Sequence, residues 1–216
     1  MHKEFYQNLF VEQTHFCPLE VGETDSSSGS RFGGVPPVSF GILPLKCPVC
    51  SGPVEYVLTL AKDILTDKIA QGKAISVFIC RDIHCKLKSW QVIFPSSLLI
   101  LIHKDEGRAP QGSSSDSTFK GRRLFANELR PGIVTCDDSA IGGRPGLIQN
   151  SGMKKVEELA RQGFQFLAQW SEVSLPNTVD GGTYPFGFGN VYLFAPMNPT
   201  TFMPELRGMI CFWQNS

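Results

Sequence analysis

No hydrophobic run in this sequence approaches bilayer length. Leu-Leu-Ile-Leu-Ile at 98–102, as long as any, is bounded by Ser96, Ser97 and His103, whereas a membrane-spanning helix needs about 20 apolar residues. The opening Met-His-Lys-Glu-Phe-Tyr-Gln has no apolar segment of secretory type, so a cytoplasmic location is expected. A dominant charge is lacking as well: 20 Lys+Arg stand against 20 Asp+Glu, for a net charge of zero. The balance holds on either side of residue 104. General affinity for nucleic acid comes from cations neutralising phosphates. Neither nucleic acid nor a membrane is therefore an expected partner.

Catalytic signatures are also scarce. His2, His15, His84 and His103 stand beside no nucleophile motif, and G-x-S-x-G, H-E-x-x-H and Walker sequences are absent. Asp137-Asp138 could hold a cation or activate a water, but neighbours on an extended chain point opposite ways, which favours a solvated turn. Asp180-Gly-Gly-Thr lacks the alternating acidic ligands of a calcium loop. Arg122-Arg123 reads as a small solvated basic patch. No catalytic residue is assigned, and the expectation is a protein that is not an enzyme.

What is present is a globular composition. The 216 residues are 42% hydrophobic and 19% charged, enough apolar material for one large domain or two small ones. Two Ser/Gly-rich stretches, 22–31 and 105–121, carry few apolar groups to offset the entropy of ordering. On either side of the second stretch the sequence echoes itself. Arg-Phe-Gly-Gly-Val-Pro at 31–36 is matched by Ala-Ile-Gly-Gly-Arg-Pro at 140–145. Val-Glu-Tyr-Val-Leu-Thr-Leu at 54–60 is matched by Gly-Phe-Gln-Phe-Leu-Ala-Gln at 163–169, aligning Leu58 with Leu167. Segments 75–79 and 191–195 follow, and Trp-Gln occurs at 90–91 and 213–214. Four matches in one order point to an internal duplication. Each Gly-Gly-x-Pro reads as a tight turn feeding a strand, since glycine permits positive φ and proline fixes the turn after it.

Short segments rich in β-branched and aromatic residues predict strands at 54–60, 74–80, 89–94, 164–170, 190–195 and 209–213. Capping residues and a helical spacing of Met153, Val156 and Leu159/Ala160 predict a helix over 150–162, stopped by Gly163. A second helix is predicted over 61–71, with Ile64, Leu65 and Ile69 on one face, and a short one over 4–10. The expected class is α+β with antiparallel sheet dominant. Two tandem pseudo-repeats would pack as one globular unit: 1–104 as the first, 105–121 as linker or loop, and 122–216 as the second.

Seven cysteines in a cytoplasmic protein argue for thiols or a metal rather than disulfides. Cys47-Pro-Val-Cys50 and Cys80-Arg-Asp-Ile-His-Cys85 flank two predicted strands. Antiparallel pairing of those strands brings both pairs to one end of a hairpin, where four thiolates could close a tetrahedron around a structural zinc ion. His84 could replace Cys85 as the fourth ligand. Cys17, Cys136 and Cys211 have no evident partner, and Cys211 is expected in the core.

These residues also carry a resemblance. Gly33-Gly34-x-Pro36, Ile141-Gly-Gly-x-Pro145 with Gln149, Phe166-Leu-Ala-Gln169, Gly189-x-Val-Tyr-Leu-Phe194 and Phe212-Trp213-Gln214 resemble the bacterial YwqG-like family of unknown function. The resemblance covers most of 30–216, and its second half best. It implies a duplicated α+β fold and, because such domains occur among immunity proteins encoded beside secreted toxins, a role in protein binding. The first half is similar to programmed-cell-death-2-like proteins, dedicated chaperones of a ribosomal protein. Here the shared pattern is Gly33-Gly34-x-Pro36, Cys47-x-x-Cys50, Val77-Phe78, Cys80, Cys85 and Trp90, over about 30–94.

The leading expectation is therefore an immunity protein that binds a cognate toxin delivered by a contact-dependent secretion system, a nuclease being one candidate, and occludes its active site. The alternative is a chaperone or adaptor for a ribosomal or other client. Loops 22–31, 105–121 and 177–189 are candidate contact surfaces, with no individual partner-binding residue assigned.

Overall fold

The computed structural model describes residues 10–22, 29–36, 45–82, 85, 98–105, 121–149, 151–174, 189–201 and 203–214. The first elements in chain order are β1 (His15–Val21), β2 (Arg31–Phe32), β3 (Val54–Leu60), α1 (Lys62–Ala70), β4 (Lys73–Cys80) and β5 (Leu98–Lys104). They are followed by β6 (Arg122–Ala126), β7 (Arg130–Pro131), β8 (Ala140–Ile141), α2 (Ser151–Arg161), β9 (Phe164–Ser171), β10 (Asn190–Pro196) and β11 (Ile210–Gln214). The protein is mostly antiparallel β. Among the described residues no helix is long and apolar enough to cross a membrane.

The chain forms two compact units. The described residues of the first all lie within 21–125, and those of the second within 1–20, 126–176 and 184–216. In the first unit the strand order is β6-β2-β3-β4-β5, every neighbour antiparallel. Val57, Leu58, Leu60, Ile75 and Val77 from the central strands are buried together with Leu65 of α1, each contributing about 1.5–3 kcal/mol. β3 and β4 are buried along nearly their whole length rather than on alternate residues, so both sheet faces are covered. Ile64, Leu65 and Ile69 of α1 are all buried, as their spacing predicts. The helix breaks at Thr66, where φ is 64°, a costly conformation for a β-branched residue. Gln71 and Gly72, both with positive φ, end it.

In the second unit the order is β1-β8-β9-β10-β11, with β7 also paired to β1. The rings of Tyr192, Phe194 and Phe212 stack in its core, at centroid separations of 4.9 Å and 5.6 Å from Phe212. α2 ends at Gly163, with φ 83°, as expected. Its buried face differs from expectation. Gly152 and Leu159 face inward, whereas Met153 is 52% exposed and Ala160 is exposed.

The same local design occurs in both units. Gly33 and Gly34 have φ of 63° and 74°, and Gly142 and Gly143 have 71° and 77°, so each pair forms the expected turn. The first glycine of each pair donates its amide to the sheet, Gly33 to the Val57 carbonyl at 2.7 Å and Gly142 to that of Leu167 at 2.9 Å. Both carbonyls belong to a bulged residue, where the β3–β4 and β9–β10 registers shift. Beyond the bulges, Thr59 faces Ser76, which faces Leu101, and Gln169 faces Tyr192, which faces Phe212.

The predicted strands at 54–60, 74–80, 164–170, 190–195 and 209–213 agree with β3, β4, β9, β10 and β11 to within a residue at either end. The strand predicted at 89–94 and nearly all of the helix predicted at 4–10 lie outside the described residues. β5, β1 and β6 were not predicted.

Candidate metal centre

The cysteine cluster is built at one end of the β3–β4 hairpin. Val54, the first residue of β3, pairs with Cys80, the last of β4. The Arg81 amide then donates to the Pro53 carbonyl at 3.1 Å, holding the exit from β4 against the entry to β3. Just upstream, Lys46 and Pro53 form an isolated bridge. Between them the chain closes a tight knuckle in which Cys47 N bonds Gly52 O and Ser51 N bonds Cys47 O, both at 2.9 Å. Ser51 adopts φ of 60° to complete it. The second arm is shorter: the Cys85 amide donates to the Asp82 carbonyl at 3.1 Å, turning Cys85 back toward Cys80.

These turns bring the sulfurs of Cys47, Cys50, Cys80 and Cys85 within 4.8 Å of one another. Cys47 and Cys85 are 4.0 Å apart, and Cys50 and Cys80 are 3.5 Å apart. Zn–S bonds of about 2.3 Å in a tetrahedron require sulfurs about 3.8 Å apart, so the cluster fits such an ion. Cys47, Cys80 and Cys85 are buried to within 3% exposure, and Cys50 is partly exposed. Val49 and Val54 pack against them. Two amides point at sulfur, Val49 N to Cys47 at 3.4 Å and Gly52 N to Cys50 at 3.3 Å. Such bonds fix sulfur orientation and offset thiolate charge.

The electrostatics favour a cation. Burial raises the Cys80 thiol well above the ordinary range, and the neighbouring Cys50 and Cys47 sulfurs raise it further. Burial also opposes ionisation of Cys47, yet the amides of Cys50 and Val49 and the thiols of Cys80 and Cys50 outweigh it and lower Cys47. The cluster thus favours the thiolate at Cys47 and opposes it at Cys50 and Cys80. A divalent cation removes that opposition.

The four cysteines expected together are together. The alternative ligand His84 lies outside the described residues. Within the knuckle the structure gives Gly52 a steric role. A Cβ there would lie 2.9 Å from Asp82 Cβ and 3.1 Å from Cys50 Sγ. Of the remaining cysteines, Cys17 and Cys211 are buried and Cys136 is partly exposed.

The residues considered for catalysis have local structural uses. Asp138 Oδ2 accepts from the Thr135 amide and hydroxyl, both at 2.8 Å, and closes a turn. Asp137 Oδ1 contacts Cys136 Sγ at 3.6 Å. His103 Nε2 bonds Ser76 Oγ at 2.9 Å. Arg123 lies over the ring of Phe125 at 5.0 Å. Asp180 is outside the described residues, as are 23–28, 106–120 and 177–188 of the candidate contact loops. Ser30, at the edge of the first loop, is anchored: its amide bonds both Asp63 oxygens at 3.1 Å, and its hydroxyl accepts from the Ala61 amide at 2.8 Å.

No protein-family profile and no curated protein sequence matches this chain.

Proposed function

We propose that this is a non-enzymatic protein that binds another polypeptide and is stapled by a structural Zn²⁺ ion on Cys47, Cys50, Cys80 and Cys85. The observation that supports it is the closure of the cluster. Four sulfurs at tetrahedral spacing, three of them buried, fill every position of the ion and leave none for water or substrate. An all-thiolate tetrahedral set favours zinc or iron–sulfur chemistry over magnesium or calcium. Metal analysis of the purified protein tests the assignment: one zinc per chain is expected. Absence of zinc, with stability indifferent to chelator, overturns it.

The partner class proposed is a cognate secreted toxin whose active site is occluded, which is what the YwqG-like resemblance implies. Pull-down from the native host, followed by co-expression rescue, tests this, and failure to recover or neutralise any toxin encoded nearby ends the reading. The second reading, a chaperone for a ribosomal client, draws support from the cysteine hairpin itself, since that is the part of the chain carrying the programmed-cell-death-2-like pattern. It predicts a client that precipitates when this protein is deleted.

The two units are further read as copies of one ancestral unit. Supporting this are the paired glycine turns, the bulge that accepts from each turn, and the matching strand registers. The structural correspondence sets Val57 against Leu167, one residue from the alignment of Leu58 with Leu167. β5 then stands in the place of β11, which 89–94 would otherwise hold.

A further inference from the structure

Arg31 of β2 is the largest fully buried side chain among the described residues, at 1% exposure. Its Nε and Nη2 are buried without a hydrogen-bond partner among the described residues. Those two N–H groups lie along one edge of the guanidinium plane, the edge whose spacing matches the two oxygens of a carboxylate or phosphate.

The polar groups around Arg31 leave this edge unmet. Arg31 pairs in register with Thr59 on β3, and its side chain donates to the Tyr56 oxygen. From there a hydrogen-bonded row crosses the sheet: Tyr56 donates to Thr59 at 2.7 Å, Thr59 and Ser76 are 2.7 Å apart, and Ser76 and His103 Nε2 are 2.9 Å apart. The direction of the row follows from its far end. His103 Nδ1 lies 2.8 Å from the Lys104 carbonyl, which accepts only, so Nδ1 carries a proton and, in the neutral ring, Nε2 accepts from Ser76. Ser76 then accepts from Thr59, and Thr59 from Tyr56. Every hydroxyl proton runs away from Arg31, and none of these groups supplies negative charge.

Nor do the nearby acids that the structure places in hydrogen bonds. Asp63 is engaged by Ser30, and Glu55 by Arg81 at 2.8 Å. A buried cation facing no anion is costly, and the fold does not require one here. In the second unit Ala140 holds the equivalent register, pairing with Gln169 ahead of its own Gly-Gly turn. The polar row there, Gln169, Tyr192 and Gln214, ties down the backbone of 135–149.

We propose that Arg31, with the hydroxyl row behind it, is a binding site for a small oxyanion, a carboxylate or phosphate group held side-on by Nε and Nη2. This site is independent of the metal centre and of the partner proposed above. The metal-loaded full-length chain is titrated with sodium acetate and, separately, with inorganic phosphate, at ionic strength held constant with chloride. The Arg31 Nε–H resonance, identified by its loss in Arg31→Lys, and the melting temperature are followed together. A saturable downfield shift accompanied by a rise in melting temperature is expected for at least one anion. The anion that saturates first identifies the group as carboxylate or phosphate. In Arg31→Met, affinity falls about tenfold or more. Should neither anion move the resonance saturably in the wild-type protein, the proposal is overturned, whether or not the variant folds. Equal stabilisation of wild type and a folded Arg31→Met overturns it too.

Discussion

At the scale of single residues, function rests on small groups with one steric or electrostatic task. Gly52 leaves room between Cys50 Sγ and Asp82 while its amide faces the sulfur at 3.3 Å. In Gly52→Ala the new methyl displaces one of these two neighbours. Affinity for the proposed zinc ion, measured by chelator competition, is expected to fall about 10–100-fold, the range for groups that orient a ligand, while the circular-dichroism spectrum of the metal-loaded protein is retained. Unchanged affinity would remove Gly52 from the centre. A pH effect originates at the buried tyrosines. Burial raises Tyr56 to about 12 and Tyr192 to about 12, against about 10 in the unfolded chain. Above pH 10 the unfolded state loses these protons first, so stability falls as pH rises from about 10 to 12. Each tyrosine accounts for roughly 2–3 kcal/mol of the loss. Urea titrations at pH 9, 10 and 11 check this, and Tyr192→Phe should flatten the decline. A profile that stays level to pH 11 would contradict it.

At the scale of elements, the decisive unit is the β3–β4 hairpin. Without metal, the knuckle 47–52 and residues 81, 82 and 85 are held to it, among the described residues, by a few amide bonds, the Arg81–Glu55 ion pair and the packing of Val49 and Val54. Stripping the proposed ion should therefore raise hydrogen exchange at Cys47, Ser51, Arg81 and Cys85 by about tenfold or more, with central β9 and β10 amides unaffected. Uniform acceleration throughout the chain would instead mean that the ion supports global folding. This hairpin was legible because two signals coincide: cysteine pairs at recognisable spacing, and strands dense in Val, Ile, Tyr and Phe between them. β5 was not, because five apolar residues at 98–102 fit a buried helix as well as a strand. β1 hides behind His15, Pro18 and Glu20, and β6 behind two arginines, residues that break the apolar alternation by which a strand is read. Arg31 was missed for a related reason. It closes a Ser/Gly-rich stretch, and burial of a charged residue leaves no mark in local sequence.

At the scale of the whole molecule, the chain does not divide where its sequence does. The Ser/Gly-rich stretch 105–121 separates two halves of the sequence, yet each half gives a strand to the unit built mainly by the other. β1, from the N-terminal end, pairs with β8 through Cys17–Ile141 and Pro18–Ala140, and the described residues up to Glu20 belong to the second unit. β6, from beyond the stretch, pairs with β2 through Arg31–Arg123 and Phe32–Arg122 in the first. Such exchange is invisible to local periodicity, because a strand's sequence states which face is apolar and not which neighbour it joins. It has a direct mechanical consequence. A protease site inserted at 112–115 and cut in the folded protein severs the covalent link but leaves both pairings in place, so the fragments should co-elute in native size exclusion and separate only in denaturant. Further removal of residues 1–22 should then expose the β8 edge and release or precipitate the C-terminal fragment. Fragments that part on cleavage under native conditions would show that each half completes its own sheet, and the exchanged strands would have to be abandoned.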